Sequence, residues 1–253
     1  MLKLGGNLAL VTGGASGIGA GVVEALQAQD VRVASLDLQP GGPADVRVAC
    51  DVADEQSVIA ATADAVGQLG GLHYAFCNAG VAGMGSILTM PMAEYDRVMN
   101  INLRGVVLTL REAAKAIRET GDGGAIVCTA SSAGIMADIG MMHYSLAKMG
   151  VRQLVRVAAR ELAVHGIRVN AIAPGPTVTP MMQEAAGMDG FFEHLASVTP
   201  LGRLGAVDDI VDAVLALFAL NWVTGQTLAA DGGITVCSST DIPGIDAEVL
   251  ASW

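Results

Sequence analysis

Leu8-Ala-Leu-Val-Thr12-Gly13-Gly14-Ala15-Ser16-Gly17-Ile18-Gly19 begins as an apolar run and ends as a glycine turn. A short apolar run bounded by glycines reads as a buried strand. Val22, Val23 and Leu26 follow at helical spacing and predict a helix to about Gln29. Strand, glycine turn and helix together are the context a phosphate cradle requires. Gly13 permits the tight turn, Gly17 lets backbone approach a pyrophosphate, and Gly19 lets the helix pack closely on the sheet. The helix start, with Ser16 and Ile18, offers free N–H groups and the positive end of the helix dipole. A purely structural turn would use the same glycines, so the next strand carries the decision.

That strand, Val31-Arg-Val-Ala-Ser-Leu-Asp37, ends in a carboxylate about 20 residues after the glycines, where a ribose 2′-hydroxyl would be bound. Asp37 would repel a 2′-phosphate, and Leu38, Gln39 and Pro40 supply no cation to offset it. The expectation is NAD over NADP. Further strands are predicted at Val46–Cys50, Tyr74–Asn78, Ala125–Thr129, Ile167–Ile172 and Leu228–Ala230. Asp51-Val52 at the third strand end lies where it could reach an adenine. Asp54 has the position of an N-cap. Helical patterns cover 93–118 in two pieces with Asn100 and Asn102 inside, then 144–164 and 208–220. Strands alternating with helices predict an α/β fold, a doubly wound parallel sheet in one Rossmann domain spanning 1–253.

Composition bounds the rest. Hydrophobic residues make up 52% of the 253 and only 15% are charged, enough to fill a core and leave apolar surface for an oligomer. A formal net charge of −11 argues against nucleic acid or an anionic membrane as partner. The four cysteines, Cys50, Cys77, Cys128 and Cys237, are spread without a Cys-x-x-Cys, so free thiols are expected and no metal site. The N-terminus shows no signal-peptide pattern and no apolar run reaches 18 residues, which makes the cytoplasm the expected compartment.

Tyr144-Ser-Leu-Ala-Lys148 places a phenol and an ammonium one helical turn apart. A nearby cation favours the phenolate. Moving a tyrosine from ~10 to about 7 takes roughly 4 kcal/mol, near what two charges ~4 Å apart exchange at an effective dielectric of ~20. The spacing therefore predicts an acid/base working near neutral pH.

Taken together, Thr12-Gly-x-x-x-Gly-x-Gly19, Asn78-Ala79-Gly80, Asn102-Leu-Arg-Gly105, Ser131, Tyr144-x-x-x-Lys148 and Pro174-Gly175 resemble the short-chain dehydrogenase/reductase family, in order and spacing, over nearly the whole chain. The resemblance implies a seven-stranded sheet, a nicotinamide dinucleotide and a tetrad of Asn102, Ser131, Tyr144 and Lys148. Ser131 is preferred to Ser132 because the family's serine lies 13 residues before its tyrosine. In the implied roles, Tyr144 exchanges a proton with the substrate oxygen and Ser131 polarises it. Lys148 depresses the phenol pKa and bonds the ribose, and Asn102 holds a water linking Lys148 to solvent. Asn102 also reads as a helix-kink residue that satisfies loose backbone. Pro174-Gly175-Pro176-Thr177-Val178-Thr179 matches the loop on the nicotinamide side, with Val178 backbone on the carboxamide and Thr179 on phosphate. Cys77 stands where the family often has asparagine, which puts a sheet-stabilising side chain in question.

The substrate region is rich in methionine: Met84, Met136, Met141, Met142, Met181, Met182 and Met188, with Phe191 and Phe192. Methionine adapts to irregular apolar shapes, and no Lys or Arg lies in 131–147 or 177–202. The expected substrate is a secondary alcohol or ketone on a bulky alicyclic, aromatic or steroid-like body. His143 reads either as a substrate contact or as a surface helix cap. Residues 181–206 read as a lid with Gly187 and Gly190 as hinges, and 236–253 as a tail that is loose or docks Leu250 and Trp253 on a neighbour. The family resemblance implies a homotetramer. The alternatives are an NADPH-dependent 3-ketoacyl carrier-protein reductase and a dinucleotide-binding scaffold without turnover.

Overall fold

The computed structural model describes residues 4–185 and 190–237. Seven strands form one parallel sheet: β1 (Leu8–Thr12), β2 (Arg32–Asp37), β3 (Val46–Ala49), β4 (Tyr74–Cys77), β5 (Gly124–Thr129), β6 (Ile167–Pro174) and β7 (Thr227–Ala230). Their order across the sheet is β3-β2-β1-β4-β5-β6-β7. Central strands β1, β4 and β5 are buried along nearly their whole length, whereas edge strands β3 and β7 alternate or lie open. A parallel sheet covered on both faces imposes that pattern. One face carries α1 (Gly17–Gln27) and α8 (Val207–Ala219), packed on Val11, Phe76 and Ile172. The other carries α2 (Glu55–Leu69), α4 (Gly105–Thr120) and α5 (Met142–Leu162), packed on Leu10, Ala75 and Ile126.

Local signals account for most boundaries. Asp54 caps α2, accepting from the Gln56 and Ser57 amides, and Gly70 closes that helix in the left-handed conformation. The helix predicted over 93–118 is α3 (Met92–Met99), a π turn at Asn100–Arg104, and α4, one continuous rod with a bulge. β6 runs two residues further than expected because β7 pairs with Ala171–Pro174. Arg168 on β6 donates to the Leu217 and Phe218 carbonyls, closing the C-terminal end of α8. The predicted lid contains α6 (Pro180–Ala185) and α7 (Phe191–Val198), with Gly190 left-handed before α7. Gly187, Met188 and the tail beyond Cys237, with Leu250 and Trp253, lie outside the described residues. Cys50, Cys77 and Cys128 are buried free thiols and Cys237 is exposed.

The chain reverses its direction of travel across the sheet between β1 and β4, and crevices at such a point take ligands in open α/β sheets. A side-chain brace holds these strand ends together. Thr12 Oγ1 accepts from the Asn78 and Ala79 amides at 2.9 and 3.1 Å. Asn78 Nδ2 donates to the Thr12 carbonyl at 3.2 Å, and its Oδ1 accepts from the Thr129 hydroxyl at 3.1 Å. Asn78 thus fastens β1, β4 and β5 at their C-terminal ends. It supplies the bracing that Cys77, paired in register with Cys128, put in question. Asn78→Ala removes both side-chain bonds and is expected to lose about 1–3 kcal/mol. Differential scanning calorimetry then reads a Tm lower by roughly 3–10 °C.

Candidate active site

The glycine turn has the crowding that a cradle needs. Gly13 has φ of +67°, and a Cβ there would lie 3.0 Å from Ala79 Cα and 3.2 Å from Asn78 Nδ2. At Gly19 a Cβ would overlap the Gly13 carbonyl. Only glycine lets α1 start this close to the strand end. Ser16 is the N-cap of α1, exposed, and its hydroxyl caps no helix amide. Thr179 and Pro180 lie over Gly17, 3.8–3.9 Å from where its Cβ would be. The turn, the open end of α1 and Thr179 therefore converge on one spot suited to a diphosphate.

Asp37 sits at the end of β2. Its Oδ2 accepts from the Ala15 amide and its Oδ1 from the Gln39 amide, each at 3.2 Å. The carboxylate is thereby fixed beside the glycine turn, and among the described residues no cation pairs with it. Asp51 is exposed and accepts from the Ala53 amide at 2.9 Å, while Val52 is buried against Gly105. Asn78 is committed to the strand brace, so this segment offers a ligand mainly the backbone of Asn78–Gly80.

The four expected tetrad residues converge at the C-terminal ends of β4 and β5. Lys148 is buried, and its Nζ donates to the Thr129 carbonyl at 2.9 Å while lying 5.6 Å from the centre of the Tyr144 ring. Ser131 follows β5 as the cap of a short 3₁₀ turn, its hydroxyl accepting from the Ala133 amide at 3.2 Å. That hydroxyl lies beside the Tyr144 phenol and favours its ionised form. Ser132 is half-buried and its carbonyl receives the Ile135 and Met136 amides. Asn102 is fully buried in the π turn, with Oδ1 accepting from the Val81 amide and Nδ2 donating to the Val81 carbonyl, both at 2.8 Å. The amide thus ties down the loop after β4. A Cβ on Gly80 would lie 3.0 Å from Asn102 Oδ1, so the glycine lets the loop settle closely on the π turn, with Lys148 Nζ at an ordinary contact distance of 3.6 Å.

One electrostatic expectation is reversed. Burial pushes the Tyr144 phenol above its ordinary value, with the Ser131 hydroxyl working the other way. Lys148 instead takes the shift, lowered by burial to about 8. The physical reason is that Lys148 is buried and Tyr144 half-buried, and the ammonium is bonded to a carbonyl rather than to the phenol.

A second correction concerns the segment after β6. Val178 donates its amide to the Gly205 carbonyl at 2.9 Å, and Gly205 donates to Pro176. This parallel bridge leaves the amide and carbonyl of Thr177 pointing the other way. The backbone groups this bridge leaves unused are those of Thr177, a residue that sequence spacing passed over. Pro174 ends β6, and Gly175 packs so tightly on Asp231 that a Cβ would approach its Cα to 2.6 Å. His143 is neither exposed nor a surface cap: it is completely buried beneath the loop after β4. Apolar side chains stand exposed on the loop after β4 and the first residue of α3, on the loop before α5 and on α6: Met84, Ile87, Leu88, Met92, Ile139 and Met181. Gly85 donates to the Gly140 carbonyl at 2.8 Å and joins the two rim loops.

Comparison with known proteins agrees with this architecture. A family profile described as Enoyl-(Acyl carrier protein) reductase matches residues 13–235. A (-)-isopiperitenol/(-)-carveol dehydrogenase, mitochondrial, of Mentha piperita is 37% identical, covering 92% of this chain and 94% of its own. A 2,5-dichloro-2,5-cyclohexadiene-1,4-diol dehydrogenase of Sphingobium indicum is 39% identical, covering 93% and 99%. Among solved structures, a short-chain type dehydrogenase/reductase from Mycobacterium marinum superposes with a TM-score of 0.88 at 32% identity, over 93% of this chain and 98% of that one. Levodione reductase gives 0.86 at 32% identity, over 92% and 98%. The chain belongs to the short-chain dehydrogenase/reductase family, and it is an oxidoreductase related to dehydrogenases of cyclic alcohols. No helix among the described residues is long and apolar enough to cross a membrane, and no cluster there could hold a metal ion.

The lowered Lys148 value makes a stability statement. The unfolded chain keeps this proton up to its ordinary 10.5, the folded chain only to about 8. Wild-type stability should therefore rise with pH through that window, and the burial penalty is fully present below it. Lys148→Met is expected to be more stable than wild type at pH 7 by about 1–3 kcal/mol, allowing for the lost bond to Thr129. Thermal melts should show the advantage shrinking between pH 8 and pH 10.

Proposed function

We propose that this protein is an NAD-dependent dehydrogenase that interconverts secondary alcohols and ketones on bulky, apolar cyclic substrates. The observation that carries the reading is the juxtaposition of the Tyr144 phenol, the Ser131 hydroxyl and the buried Lys148 ammonium beside a glycine cradle. A binding scaffold has no need of that trio.

A bound nicotinamide dinucleotide would supply the hydride donor or acceptor. The chain's own residues hold it and move the proton. The amides after Ser16 and the Thr179 side chain take the diphosphate, Asp37 the adenosine ribose hydroxyls, and Asp51 with Val52 the adenine side. Backbone at Asn78–Gly80 lines the dinucleotide, and Thr177 offers amide and carbonyl to the nicotinamide end. Tyr144 gives or takes the proton at the substrate oxygen, and Ser131 donates a hydrogen bond to the same atom. Lys148, with donors left beyond Thr129, reaches a ribose hydroxyl and stabilises the phenolate once Tyr144 has lost its proton. Asn102 fixes the Gly80–Val81 backbone beneath it.

Asp37 supports NAD over NADP, since its carboxylate has no cation beside it to receive a 2′-phosphate. The relatives that act on carveol and on a cyclohexadienediol, with the apolar rim, support a cyclic alcohol. The carrier-protein reductase remains the second reading, favoured by the description of the matching profile. The lack of Lys and Arg in 131–147 and 177–202 opposes it, because a phosphorylated carrier arm would find no cation there. A homotetramer is proposed from the apolar stripe that Leu146, Met149 and Val157 leave exposed along α5, with Val107 on α4.

Absorbance at the reduced-nicotinamide band tests the proposal, with NAD and NADP compared over a panel of cyclic alcohols and ketones. Tyr144→Phe should keep dinucleotide affinity and lose about 10²–10⁴ in kcat. Undiminished turnover in that variant excludes the phenol as acid/base. Asp37→Ala should cut the preference for NAD about ten-fold or more. A preference that does not move removes Asp37 from cofactor selection.

A further inference from the structure

His143 immediately precedes Tyr144 at the start of α5, and its ring is 0% exposed. Neither ring nitrogen has a hydrogen-bond partner. A neutral imidazole carries one donor and one acceptor, and burying both unmet is costly. One partner is close but not engaged. Glu94 Oε1 on α3 lies 3.8 Å from Nε2, beyond hydrogen-bond length. Glu94 is anchored by Arg97 through bonds of 2.7 and 2.8 Å, and Arg97 donates to the Ala82 carbonyl at 3.0 Å. Gly83, the next residue, packs against the imidazole, where a Cβ would overlap Nε2. The cluster therefore couples three things: the residue before the proposed acid/base, the start of α3, and the loop from Gly80 to Gly85. That loop meets Lys148 at one end and the Gly140 carbonyl at the other.

We propose that His143 is a positioning residue whose Nε2 closes onto Glu94 when substrate settles against the Gly80–Gly85 loop, holding that loop and Tyr144 at their working separation. The inference rests on the alcohol dehydrogenase reading above. The approach required is small, from 3.8 Å to about 3 Å. Substrate supplies the bias because its apolar body touches the rim loops only when they have closed on it. The unmet Nε2 supplies the rest, since closure gives that nitrogen the partner it lacks in the open arrangement.

Steady-state kinetics on the purified full chain tests this with His143→Phe, which keeps ring bulk and removes both nitrogens, and Glu94→Ala. Each single change should raise KM for a cyclic alcohol about five-fold, with the dinucleotide Kd, read by fluorescence titration, within about two-fold of wild type. The double variant should be no worse than either single one, whereas independent effects would multiply to about 25-fold. Glu94→Gln keeps an acceptor and should restore the wild-type KM. Where His143→Phe folds poorly, His143→Gln keeps an N–H donor and should behave as wild type, while Glu94→Ala still reports the loss. An unchanged KM in His143→Phe, or multiplying effects in the double variant, overturns the inference while wild-type turnover stays intact. Wild type that turns over no alcohol at all overturns the parent reading and this one with it.

Discussion

Lys148 is buried against one backbone carbonyl, and among the described residues no carboxylate comes to meet it. That arrangement is expensive, and the surrounding packing exists to hold it. Gly134 lies so close to α5 that a Cβ would come within 2.8 Å of the Lys148 carbonyl carbon. Gly150 receives Leu103 of the π turn, and a Cβ on Gly80 would crowd Asn102 Oδ1 at 3.0 Å. Three glycines thus let a helix, a strand end and a loop approach closely enough for an amine to reach the Thr129 carbonyl. The strand brace at Asn78 keeps that carbonyl where it is, since Thr129 is tied through Asn78 to Thr12. Packing, brace and buried charge are one constraint seen from three sides.

The sheet was legible because its information is local. Apolar runs bounded by turn residues gave the central strands, and the spacing of glycines and Asp37 gave the cradle. Asp54 announced its helix by residue type alone, and the paired asparagines at 100 and 102 marked the break in the long helix. The misses share a different character. Lysine four residues after tyrosine shows that two side chains share a helix face, but not where the ammonium donates. That choice was made by Thr129, which lies 19 residues away. Val178 looked available until Gly205, distant in sequence, took its amide. His143 reads in sequence as a substrate contact or a helix cap because nothing nearby along the chain discloses that Gly83 and α3 close over it. Sequence spacing reports which groups are neighbours along an element, whereas hydrogen-bond commitment is settled between elements.

The distribution of cations completes the electrostatic picture. The chain has only 14 Lys and Arg against 25 Asp and Glu. Several of those cations are tied down on helices and strand ends away from the glycine turn: Arg97 to Glu94, Arg111 and Lys115 to Glu112, Arg203 to Asp209, and Arg168 to the end of α8. Near Tyr144 the buried amine is joined by Arg152, which donates to the Gly134 carbonyl at 2.7 Å, and at the cradle the positive character comes from backbone amides at the start of α1. Backbone amides cannot be titrated away, so the grip they offer a diphosphate does not depend on pH in the neutral range. The amine can be, because burial has brought it to about 8. On the proposed reading, gripping the diphosphate and assisting the proton thus fall to groups of different kinds. On that reading, a change of pH through the lysine's range acts on proton transfer and on the ribose contact while leaving the diphosphate grip alone.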